Sequence, residues 1–304
     1  MLSAGEHPSD MKEQMQAIFS HSEFRRQYPD SPSVLYPSEW GWQVRLVRPE
    51  PGRTFEEERV QGECHVDQLL ATLAEVGVAL DQPLETASGS LNVAELLESS
   101  YRQCVPGQEC GWSLVAYSSY FPRRSKWVNR LGEDLSYGSI VRELFAKPLD
   151  EGPCAGTHKQ FSLAYLLRVD DRFHVLSGGL RRDIEEYLQR CLAALARSQL
   201  PNGSWHPDWA REQAPSPDRL LAISAPNHLV HITAHHLEWI NLLPQRLRPP
   251  DESIGPPARF LATAVSHQPP EVILQNYCGF SHAARVLTLL TQGSPRTPDG
   301  SPSL

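Results

Sequence analysis

The stretch Arg190-Cys-Leu-Ala-Ala-Leu-Ala-Arg-Ser-Gln199 recurs as Arg259-Phe-Leu-Ala-Thr-Ala-Val-Ser-His-Gln268, with Arg, Leu, Ala and Gln in register and the apolar spacing preserved. Self-similarity of this kind marks a repeat architecture, in which each unit buries one face against its neighbours. A fainter copy reads Leu69-Leu-Ala-Thr-Leu-Ala-Glu-Val76. A second family pairs Val93-Ala-Glu-Leu-Leu97 with Val141-Arg-Glu-Leu-Phe145, and each is followed, after a loop, by a Cys and another apolar run.

Working outward, the second helices share a start. They read Cys110-Gly-Trp-Ser-Leu114, Cys154-Ala-Gly-Thr-His158, Asn227-His-Leu-Val-His231 and Cys278-Gly-Phe-Ser-His282. Ser or Thr at the fourth position in three of them predicts a helix N-cap, whose hydroxyl accepts from the free backbone N–H groups of the first turn. Four helix pairs follow, with second helices starting at 110, 154, 227 and 278. Arg181, Asp183, Glu185, Glu186 and Arg190 put a polar stripe on a first helix, while the second helices are richer in apolar residues, as an inner layer requires. The expected fold is all-α, built from repeated helix pairs that close into a ring or stay an open arc. The repeat domain spans 36–290. It follows an N-terminal extension over 1–35, with a helix from Lys12 to Ser20, and precedes a tail over 291–304 whose Gly, Ser, Pro and Thr read as disordered. Trp42–Arg48 alternates and reads as an edge element or loop. The Pro clusters punctuate helices rather than form one linker.

The 304 residues are 40% hydrophobic, enough for a sizeable core, and carry a net charge of -8. The Arg residues are scattered, with no basic stripe between aromatics, which argues against a nucleic-acid partner. No apolar run approaches the roughly 18 residues that span a bilayer, and Met1–Asp10 lacks a signal-peptide core, so a cytoplasmic location is expected. The six Cys then read as reduced thiols, with Cys191 a small core residue.

Residues 195–205, Leu-Ala-Arg-Ser-Gln199-Leu-Pro-Asn-Gly203-Ser-Trp205, carry Leu, three residues, Gln, a short loop, Gly, any residue and Trp. This resembles the Gln–Trp repeat motif of squalene-type terpene cyclases, members of the α/α-toroid superfamily that includes protein prenyltransferases. The resemblance implies that Gln199 ends an outer helix and meets Trp205, with Gly203 permitting the turn. It also implies an α/α toroid with a central cavity. The catalytic motifs of those enzymes are missing. There is no Asp-x-Asp-Asp run, the one Asp pair is Asp170-Asp171, and no Cys has Asp two residues before it. Terpene cyclisation and protein prenylation are therefore not expected.

In such toroids the inner helices start near one end of the cavity. The resemblance thus implies that Cys154, His158, His231, Cys278 and His282 come together, a set of thiolates and imidazoles that fits zinc. The same residues also suit a metal-free role, with Cys as a small residue at a crowded helix start and His bonding to loops. His228, His231, His235 and His236 crowd one segment, and Glu238 follows His235 by three residues on the same side, a pair suited to general acid–base work. Cys110, Trp112 and Trp239 are candidate pocket-lining residues for a small-molecule or protein ligand. Two further readings stay open: a non-catalytic helical scaffold, and a carbohydrate-active enzyme using Glu109 and Glu238 as its two carboxylates.

Overall fold

The computed structural model describes residues 20–27, 33–47, 63–124, 126–211 and 226–292. The expected helix over Lys12–Ser20, all but its last residue, and most of the expected 291–304 tail lie outside them. The described chain is mostly helical, with three small antiparallel hairpins. It divides into two compact units, residues 1–140 and 141–304.

Among the described residues, the first unit begins with α1 (His21–Gln27) and the hairpin β1 (Leu35–Ser38)–β2 (Gly41–Val44). Next come α2 (Gln68–Glu75), the hairpin β3 (Pro83–Thr86)–β4 (Gly89–Asn92), α3 (Val93–Gln103), α4 (Gly111–Tyr120) and the hairpin β5 (Lys126–Val128)–β6 (Asp134–Ser136). Helix α5 (Tyr137–Phe145) leads into the second unit. A capping box starts α3: Asn92 Oδ1 accepts from Glu95 N–H at 2.9 Å and Glu95 accepts from Asn92 N–H at 2.8 Å. Helix α2 packs on α4, and α3 on β2. The core holds Leu70, Leu73, Leu97 and Leu114 with a stacked Tyr101–Tyr117 pair, centroids 4.2 Å apart, and Trp127 edge-on to Tyr117.

Only the stretch at Trp42 drew attention as strand in the sequence. The other two hairpins escape because their strands are short and each buries little: Leu84 with Leu91 in one, Trp127 with Leu135 in the other. A period of two needs more residues than that to register.

The second unit contains α6 (Thr157–Phe173), entered through a 3-10 turn at Pro153–Gly156, then α7 (Gly178–Ser198), α8 (Pro226–Leu242), α9 (Asp251–Ser266), α10 (Pro270–Gln275) and α11 (Tyr277–Gln292). Helix α8 lies between α6 and α11. Helix α7 packs on α6, and α9 on both α8 and α11. The burial patterns match these places. Helix α7 buries a single stripe, Ile184, Tyr187, Leu188, Cys191, Ala194 and Leu195, while α6 is buried on nearly every side. Helices begin within one residue of the expected starts at 110, 227 and 278, whereas at 154 the chain makes a left-handed turn and the α-helix begins at Thr157.

The hydroxyls at those starts do not cap. Ser113 Oγ donates to Asp67, Thr157 Oγ1 to the Cys154 carbonyl at 2.8 Å and Ser281 Oγ to the Cys278 carbonyl at 2.8 Å. None of the three occupies the N-cap position itself: Thr157 is the first residue of its helix, Ser113 the third and Ser281 the fifth, so Thr157 and Ser281 bond back to the carbonyl three residues earlier and Ser113 bonds across to Asp67.

The Gln–Trp segment behaves as its chemistry suggests. Gln199 ends α7 and its Nε2 donates to Gly203 O at 3.1 Å. Trp205 Nε1 donates to Leu195 O at 2.9 Å, in the last turn of α7. Gly203 has φ +89, and a Cβ there would lie 2.7 Å from the Pro256 carbonyl.

Candidate metal centre

Helix α8 carries the histidines. His231 and His235 are one turn apart and share a face. His236 points elsewhere: Trp205 and Trp209 meet its ring edge-on at 5.5 and 4.8 Å, and Trp239 Nε1 donates to its Nδ1 at 3.0 Å. Desolvation in this aromatic cage lowers His236 to about 3. His228 is exposed on the first turn. Trp239 is thus fully buried wall for His236 rather than pocket lining.

Cys154 reaches the site from the turn before α6. Cys154 and Ala155 have φ of +50 and +54, and Gly156 follows at +78, three successive left-handed residues. Left-handed backbone costs a non-glycine residue about 1–2 kcal/mol, so the surroundings must impose it. Trp209 Nε1 holds Ala155 O at 3.0 Å, and a Cβ at Gly156 would strike the Leu149 carbonyl. This turn packs on α8. Cys154, His231 and His235 thereby bring one donor atom each to within 4.8 Å of one another.

Glu238, buried at 3% exposure, holds the other side. Its Oε2 lies 3.2 Å from His235 Nδ1, and both its oxygens lie 3.0 Å from His282 Nδ1 on α11. Arg285 Nη1 is 3.7 Å from Oε1. Burial raises the Glu238 carboxyl, but the charge of His282, hydrogen bonds from His235 and His282, and Arg285 outweigh it and hold it well below the usual carboxylate range. Burial also disfavours the charged His282 ring, yet Glu238 and Cys278 push it up to about 10. His235 goes the other way: burial first, then the neighbouring His282, hold it well below its ordinary value, so its imidazole is neutral. Cys278, exposed in the first turn of α11, is hydrogen-bonded to His231 and His282. Desolvation of its sulfur is outweighed by those bonds, and the thiol falls to about 6. Thiol, imidazole and carboxylate thus form a hydrogen-bonded line, Cys278–His282–Glu238.

Two groups in this unit have metal-ligand spacing: Cys154, His231 and His235, and His235, Glu238 and His282. The second satisfies itself, because both imidazoles already bond to the carboxylate. The first does not. His231 Nε2 and His235 Nε2 are buried without a hydrogen-bond partner, and a buried imidazole nitrogen is seldom left so. A neutral His235 whose Nδ1 is held by a carboxylate has the orientation and tautomer of a metal-ligating histidine.

Of the residues the sequence singled out, Cys154, His231, His235, Glu238, Cys278 and His282 come together here. His158 is buried with its ring 5.4 Å from that of His235. Cys110, Trp112 and Glu109 stand in the first unit: Cys110 and Trp112 are buried there, and Glu109 Oε2 is 2.9 Å from His65 Nδ1. Sequence reasoning missed the buried acid cluster of that unit. Asp67, in left-handed backbone at φ +62, accepts from Ser100 at 2.7 Å and from Ser113. Glu63 accepts from the backbone N–H groups of Asp67 and Leu69. The partners are distant in sequence and follow no motif.

Protein-family models, curated proteins and solved structures give no match to this chain.

Proposed function

We propose that the second unit holds a zinc-class ion through Cys154, His231 and His235, and that the protein is a metal-dependent ligand-binding protein or enzyme. The observation that carries this reading is the pair of partnerless buried Nε2 atoms on His231 and His235 beside the Cys154 thiol. One thiolate, two imidazoles and an open position make the donor set of a catalytic rather than a structural zinc site. A bound ion of this class supplies Lewis acidity and an acidified water. Glu238 orients His235, and Cys278, His282 and Arg285 form the polar surroundings. In this reading the helix pairs are related as in the α/α-toroid enzymes that the Gln199–Trp205 segment resembles, with the site at their inner helices.

Elemental mass spectrometry of protein prepared without chelator tests it. About one zinc per chain is expected, lost in Cys154→Ala and His235→Ala and kept in Cys278→Ala. Protein that carries no metal and takes up none on titration with Zn2+ sinks the reading.

A further inference from the structure

The loop between α3 and α4 brings two more thiols together. Cys104 ends α3 and Cys110 precedes α4, and their sulfurs lie 4.0 Å apart. Neither is in a disulfide, and both are buried, at 1% and 3% exposure. The segment between them, Val-Pro-Gly-Gln-Glu, has its Pro106–Gly107 tip exposed, with Gly107 at φ +89. The backbone on either side is anchored. Cys104 N–H donates to Ser100 O at 2.9 Å, and Asn129 Nδ2 holds Cys104 O at 3.0 Å. Leu114 N–H donates to Cys110 O at 3.0 Å, beginning α4. The sulfurs therefore face each other across a turn whose two ends are held by the helices, while its tip is exposed.

We propose that Cys104 and Cys110 are a reversible disulfide pair, oxidised by low-molecular-weight disulfides. A bonded pair has sulfurs about 2.05 Å apart, so closure needs a side-chain movement rather than a rearrangement of helices. Opening of the exposed tip admits the reagent. One cysteine sulfur, having lost its proton to water, attacks a sulfur of the small disulfide and expels one thiolate, giving a mixed disulfide. The second cysteine attacks the protein sulfur of that bond and expels the other thiolate. The two cysteines are oxidised, the reagent is reduced to two thiols, and the two protons released are taken up by the departing thiolates. The product staples the end of α3 to the start of α4, next to Tyr117, whose hydroxyl lies 2.7 Å from that of Ser100.

The full chain is incubated in mixtures of oxidised and reduced glutathione, then denatured, alkylated and digested with trypsin. Both cysteines fall in one peptide, residues 103–123. The expected product is that peptide without alkylation and lighter than the dithiol by two hydrogens. Its share rises with the oxidised fraction and reverts on reduction. The oxidised protein melts at a higher temperature than the reduced one, because closing a loop constrains the unfolded chain. In Cys110→Ser the same treatment leaves a glutathione adduct on Cys104 and no internal bond. If that variant does not fold, the wild-type peptide map decides alone. Full alkylation at every ratio, accumulation of wild-type glutathione adducts without ring closure, or pairing of either thiol with another cysteine would each overturn the proposal.

Discussion

His235 Nδ1 lies 3.2 Å from Glu238 Oε2, three residues further along the same helix, and neither side chain reaches solvent. The carboxylate fixes the ring, and one donor atom each of His235, His231 and Cys154 lies within 4.8 Å of the others. Replacing Glu238 by Gln keeps the size and removes the charge. An outer carboxylate of this kind contributes about 10–100-fold to metal affinity. Glu238→Gln is expected to weaken Zn2+ binding by that factor in a chelator competition, with the helical circular dichroism unchanged. Wild-type affinity in the variant would detach Glu238 from the site.

The first unit makes a prediction about pH. Burial of Glu63, with the neighbouring Asp67 carboxyl next, pushes it up to about 8 from an ordinary 4.5. Between those values the folded chain holds a proton that the unfolded chain has released, so stability falls as pH rises through that window. Below about 4.5 both states are protonated, and above about 8 both are ionised, so this group adds no slope outside it. Glu63→Gln is expected to flatten the decline in thermal midpoint between those pH values. A slope equal to that of the wild type would assign the proton to another group.

Gly203 and Gly132 are both left-handed, at φ +89 and +77, but only Gly203 is crowded. Alanine at Gly132 meets nothing within 4 Å and carries backbone strain alone, about 1 kcal/mol. Alanine at Gly203 must also displace the Pro256 carbonyl, and a loss of about 2–4 kcal/mol is expected. Urea unfolding of the two variants measures the difference; equal losses would refute the close contact.

The Asp170-Asp171 pair is structural. Arg181 joins Asp170, Asp171 at 2.6 Å and Glu185 at 2.9 Å, and Asp170 also accepts from Leu176 N–H at 2.8 Å. Arg181→Met keeps the stem and leaves the buried Asp170 without its cation. A loss of about 1–3 kcal/mol is expected, read as a lower urea midpoint with unchanged metal content. A fall in metal content would instead tie this pair to the site.

The helices were legible in the chain itself. Apolar spacing in Arg190–Gln199 and Arg259–Gln268, and the shared starts at 110, 154, 227 and 278, mark local periodicity, which depends only on near neighbours. The role of Gly203 was legible too, because a tight turn demands a residue that tolerates positive φ. The hairpins were not, since two inward residues carry no detectable period. Nor could spacing say which histidine does what. His235 and His236 are adjacent in sequence, but helical geometry turns them about 100° apart, one toward Glu238 and the other into the Trp cage. Cys154 and Cys278 begin similar motifs, yet left-handed backbone aims the first at His231 and His235, while the second stays exposed beside His282. The sequence by itself determined where the helices run and which residues bear the chemistry. Only the tertiary structure decided which of them meet, because convergence is set by packing between α6, α8 and α11, and not by distance along the chain.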